Sequence, residues 1–118
     1  MALTKVTSNV IGDEFSTVSA LGSSATQDVD WDSAQIFTLT PSQSTTLNIT
    51  NPTIGIQKTA VITGSGNSYT ITLNVGGAAG TFNLISGEYD DTSGVKNLYS
   101  ILCVGATEFW YSISQIAT

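Results

Sequence analysis

The chain has 118 residues, with no histidine, no arginine, three lysines and one cysteine. Each shortage removes a class of function. Without histidine, a serine nucleophile lacks its usual base. With no histidine and a single cysteine, a zinc site built on those ligands is excluded. Lys5, Lys58 and Lys96 stand against nine acids, for a net charge of −6. Three scattered cations cannot displace the counterions of a nucleic acid, and they give an anionic membrane little to attract. Cys103 has no partner for an internal disulfide. Its neighbours Ile101, Leu102 and Val104 are apolar, so it reads as a buried small hydrophobe and not as a reactive thiol. No apolar run approaches the roughly 18 residues of a membrane helix. The first eight residues lack the apolar stretch of a signal peptide, so synthesis and assembly in a cytoplasm are expected. Charged residues are 10%, against about 25% in an ordinary soluble domain. Ser, Thr, Asn and Gln supply the polarity instead, and the chain is expected to be neither an enzyme nor a cofactor carrier.

What is present is alternation. Phe37 and Leu39 share one face of a short run. Leu47 and Ile49 share one face of the next, with Thr46, Asn48 and Thr50 opposite. Such period-2 patterning marks half-buried strands. Pro41, Ser42, Gln43 and Ser44 read as a hairpin loop between them, and Asn51-Pro52 as a stop. Residues 56–63 and 68–75, joined by Gly64-Ser65-Gly66-Asn67, read as a second hairpin with Tyr69, Ile71, Leu73 and Val75 facing in. Residues 97–104 and 109–116 read as a third, closed by Gly105-Ala106-Thr107-Glu108. A helix over 95–104 is the competing reading, but β-branched and aromatic content favours strand. No strict internal repeat is visible. Length and 41% hydrophobic content suit one globular domain.

The expected fold is therefore all-β: a single β-sandwich or jelly-roll-like domain of about seven or eight antiparallel strands. Residues 35–118 would form this body. Residues 1–34, Ser/Thr/Gly-rich and short of apolar anchors, read as an extended arm that becomes ordered against a partner. Leu3, Val6, Val10, Val18, Leu21 and Trp31 are its interface candidates. A neutral, Thr-rich sheet has weak protection against edge pairing, which fits coverage by other subunits.

Three local groups invite a chemical reading. Asp28, Asp30 and Asp32 would share one face of a strand and offer oxygen ligands to Ca²⁺. The calcium-loop pattern stops there, because Ser33 and Leu39 stand where Gly and Glu are needed. A solvated face beside a buried Trp31 is the plainer reading. Glu88, Asp90 and Asp91 form a second acidic cluster, in a turn-rich loop unsuited to paired acid–base work. Phe109, Trp110, Tyr111 and Tyr99 read as core for the most part, but alternation puts Trp110 on the face opposite Phe109 and Tyr111.

Several stretches together resemble small β-rich virion proteins of tailed bacteriophages. Ala2-Leu3-Thr4-Lys5-Val6-Thr7-Ser8-Asn9-Val10-Ile11 looks like N-terminal segments of phage fibre and spike proteins. Asp30-Trp31-Asp32-Ser33-Ala34-Gln35-Ile36-Phe37-Thr38-Leu39-Thr40, followed by Ser44-Thr45-Thr46-Leu47-Asn48-Ile49-Thr50-Asn51-Pro52, is similar to a β repeat of those proteins. The ending from Tyr99 to Gln115 looks like their final hairpin. Receptor-binding fibres are usually much longer, so a chain of 118 residues fits a capsid decoration, or cement, protein better. The resemblance implies a homotrimer on the virion surface, with the major capsid protein or another virion protein as partner. The alternative is a short head-fibre or tail-fibre component, with Tyr89 and Trp110 stacking on a host glycan.

Overall fold

A computed structural model describes residues 13–116. A 3-10 turn over Asp13–Ser16 precedes nine strands. They are β1 (Val18–Ala20), β2 (Thr26–Asp30), β3 (Ile36–Leu39), β4 (Thr45–Thr50), β5 (Gln57–Thr63), β6 (Ile71–Val75), β7 (Thr81–Ser86), β8 (Lys96–Cys103) and β9 (Glu108–Gln115). No α-helix occurs among the described residues, and within 95–104 the stretch Lys96–Cys103 is strand. The all-β expectation holds.

The pairing differs from the expectation. One sheet has six strands in the order β1-β3-β5-β8-β9-β7; the other has three, in the order β2-β4-β6. Through β6 the chain alternates between sheets, and each strand lies parallel to the strand two places before it. The chain thus winds as a coil of three turns. β8 then returns antiparallel to β5, β9 pairs antiparallel with β8, and β7 lies parallel to β9 at the edge.

Two of the three expected hairpins therefore do not form. β3 and β4, and likewise β5 and β6, sit in opposite sheets. The physical reason is that alternation reports which face is buried and carries no information about which strand lies alongside. The loop after Leu39 and the one after Thr63 carry the chain across the core instead of reversing it within a sheet. The β8–β9 hairpin is present as expected.

Residues 18–34 are also not an extended arm. β1 adds to β3 and β2 adds to β4, completing the first turn of the coil. Trp31 is 2% exposed and meets Phe109 edge to face at 5.5 Å. As a core residue it cannot be an interface anchor. Backbone ladders supply what this stretch lacks in apolar anchors: Thr46 donates to the Ala25 carbonyl and Trp31 to that of Thr50.

The core lies between the sheets. Val29, Ile49 and Val75 stack in register from one sheet, and Phe37, Ala60, Tyr99 and Ile113 from the other. Burying each large apolar side chain contributes about 1.5–3 kcal/mol. Cys103 is buried, and its thiol donates to the Gly105 carbonyl. Burial pushes its pKa up, in keeping with the hydrophobic role read from its neighbours.

Candidate functional site

The two sheets present different outer faces, set by residues at the outward positions of each strand. On the six-stranded sheet, one row across the strands is Val18, Ile36, Thr59, Ser100 and Ser112. A second is Ala20, Thr38, Val61, Leu98 and Ser114. A third is Gln57, Leu102, Trp110 and Asn83. None of these side chains is charged. Val18 is 60% exposed and Trp110 46%. Charge appears at the margins. Lys96 donates to Thr63 Oγ1 at 2.8 Å, and Glu108 accepts from Trp110 Nε1 and Asn83 Nδ2. The result is a broad, neutral, partly apolar surface.

The outer face of the three-stranded sheet is hydrophilic. Thr26, Thr46 and Thr72 form one row, and Asp28, Asn48 and Asn74 the next. Asn48 donates to Asp28 Oδ1 at 3.1 Å and accepts from the Gly77 amide at 2.7 Å. Asn51 and the Asp32 amide both donate to Asp30 Oδ1 at 3.0 Å. β2 ends at Asp30, so Asp32 lies in the following turn and the three carboxylates do not share a strand face. Among the described residues no group of three metal-ligating side chains forms. Amide donors meet the Asp28 and Asp30 carboxylates.

The second acidic cluster is structural in its geometry. Asp91 accepts from the Ser65 amide and hydroxyl, the Tyr69 amide and the Tyr89 hydroxyl. Burial opposes its ionisation, but these donors outweigh burial and hold its carboxyl well below the usual range. Tyr89 is raised in turn, by burial first and then by Asp91. Asn97, fully buried, anchors the same loop. Its amide donates to the Ile62, Asp90 and Val95 carbonyls, and its oxygen accepts from the Asp90 amide and Gln115. Gly87 lets the loop leave β7. It has φ 87°, and a Cβ there would lie 1.8 Å from the Ile113 carbonyl oxygen.

The residues singled out from sequence are thus dispersed. Val18 is exposed on the neutral face, Leu21 packs partly against the core, and Trp31 is inside. Leu3, Val6 and Val10 lie outside the described residues. Tyr89 is half-buried with its hydroxyl engaged, and Trp110 is open. Asn97 was not singled out, and the neutral, Thr-rich character was read for the sheets in general without assigning it to one of them. The face was readable as uncharged outward positions in successive strands; the role of Asn97 carried no local signal.

Comparison with family models, with curated proteins and with solved structures found no match.

Proposed function

We propose that this chain is a structural protein of a tailed bacteriophage virion, a capsid decoration protein that binds the assembled shell and ties capsomers together. The observation that carries the reading is the uncharged outer face of the six-stranded sheet. A soluble domain ordinarily spends charge on such a surface. Desolvating Val18, Ile36, Val61, Leu98 and Leu102 against a neighbour strands no ion, so this part of the face is suited to burial. We read the three-turn coil as a short β-solenoid closed by the β8–β9 hairpin, rather than as a jelly roll.

Magnitude shapes the proposal. Six strands at about 4.8 Å spacing, with about six residues of 3.3 Å each, make a face on the order of 500 Å². That is below the ~800 Å² each partner contributes to a standard stable interface. A single contact would be modest, and many copies on a repeating shell would hold through avidity. A homotrimer supplies the first step of that multiplicity. The test is to add purified protein to capsids stripped of decoration. It is expected to sediment as a trimer and to raise the temperature at which the shells come apart. A monomer that leaves shell melting unchanged sinks the reading.

One observation favours a second reading. The exposed indole of Trp110 on the neutral face is suited to stacking on a sugar ring, as in a short head-fibre or tail-fibre component. Tyr89 is less suited, because its hydroxyl is committed to Asp91. Cell binding that Trp110→Ala abolishes would move the assignment to this reading.

A further inference from the structure

The two sheets are unequal, and the inequality leaves a place unfilled. The six-stranded sheet continues through β8, β9 and β7, while the three-stranded sheet stops at β6. The inner face of the overhanging strands forms a cleft of about 380 Å³. Phe82, Leu84, Tyr111 and Tyr99 line its floor, with Leu73 of β6 at its side and Glu88 at its rim. Leu84 is 47% exposed. β6 is the outermost strand of its sheet; Val75 at its end is bridged to Ala78, and the stretch before it, Ile71, Thr72, Leu73 and Asn74, has no Lys, Pro or bulge to blunt the edge. An aromatic floor beside an unprotected strand edge is a site for strand addition.

The shape of the vacancy limits the occupant. Pairing β6 with the β6 of another copy would bring two overhanging sheets into the same layer. A single strand without a sheet beneath it avoids that collision. Residues 1–12 are the long stretch of this chain outside the described body. Residues 4–11 alternate, with Thr4, Val6, Ser8 and Val10 on one side. All nine acids lie in residues 13–116, whereas Lys5 is the one charged side chain in residues 1–12. The segment is thus opposite in sign to the body and to the Glu88 rim.

We propose that residues 4–11 of a second copy add to the open edge of β6 at Ile71–Leu73, with Val10 seated over the Phe82 and Leu84 floor and Val6 about 13 Å further along the strand. The segment joins the body beside β1, the edge strand opposite β7. Donation therefore connects unlike ends of two copies. Such a heterologous contact closes into a ring when the rotation permits, and three copies would make the trimer of the reading above. The inference rests on that reading for its self-association alone, and its test uses no capsid, so the two fail separately.

The test co-expresses two full-length variants, Val10→Cys and Leu84→Cys; the native Cys103 is buried. A disulfide-linked heterodimer is expected from the pair, at least tenfold over homodimers from either variant alone. A parallel series with Val6→Cys covers a shift of register by four residues. Absence of heterodimer in both series overturns the proposal. So does a chain carrying both cysteines that links only within itself, because the segment would then be filling its own cleft. In full-length protein, Val6→Asp with Val10→Asp is expected to shift sedimentation to monomer with an unchanged β-sheet circular dichroism signal. An oligomer that survives this double substitution also overturns the proposal.

Discussion

The outer faces of the two sheets are made from the same kind of strand and do opposite things with their outward positions. On β2, β4 and β6 these positions hold Thr, Asn and Asp, and the Asp28 and Asp30 carboxylates are met by Asn48, Asn51 and a backbone amide. On the six-stranded sheet they hold Val, Ile, Leu, Thr, Ser and a Trp, and charge retreats to Lys96 and Glu108 at the margins. The first face keeps its hydration. The second loses little when water is removed, so a neighbour is better placed there. Few charges in the whole chain thus become a local statement about one surface.

The largest expected effect tests the core that holds both faces in place. Asn97→Ala removes five hydrogen bonds from a fully buried amide and strands their partners, for about 2–4 kcal/mol in urea unfolding. Asn48→Ala, on the hydrated face, should cost under about 1 kcal/mol. Equal losses would mean that the two amides differ less than their burial indicates.

Next comes association. Val61→Glu with Leu98→Glu places charge in the neutral face and is expected to weaken the proposed shell binding by about 2 kcal/mol or more, a factor of ~30. Thr50→Glu on the other sheet should leave binding within about twofold. If both substitutions weaken binding alike, the distinction between the faces is broken.

The Asp91 network gives a smaller, pH-dependent effect. Its folded pKa lies below the unfolded value of 3.8, so it adds stability that is full above that value and is lost as pH falls. Asp91→Asn should flatten the thermal melting curve against pH below about 4. Tyr89 is raised above 10.0, so its contribution holds below pH 10 and fades above it. Tyr89→Phe should flatten that alkaline limb. The smallest effect is expected from Asp28→Asn: within about 0.5 kcal/mol of the parent, with no Ca²⁺-dependent rise in melting temperature in either protein.

The register of the coil shows why part of the fold was legible and part was not. Phe37, Leu39, Leu47 and Ile49 are inside, as alternation required. Yet Val18, Ile36 and Thr59 stand in one row although 18 and then 23 residues separate them. Turns of unequal length leave no fixed repeat, so the parallel coil looked like a series of hairpins. Residues 18–34 looked like an arm for a related reason. Much of their order comes from backbone ladders to β3 and β4, which any sequence can supply.

Sequence by itself determined the main strands from β3 onward, the inward faces of β3 and β4, the buried thiol and the scarcity of charge, because these depend on side-chain type and on its period of two along a strand. Tertiary structure alone decided which strands are neighbours. It joined Asp91 to Ser65, Tyr69 and Tyr89, tied Asn97 to four residues through five hydrogen bonds, and left a cleft where one sheet outruns the other. Those outcomes depend on how loops of unequal length cross the core, and backbone pairing, which is nearly indifferent to side-chain identity, then sets them in place.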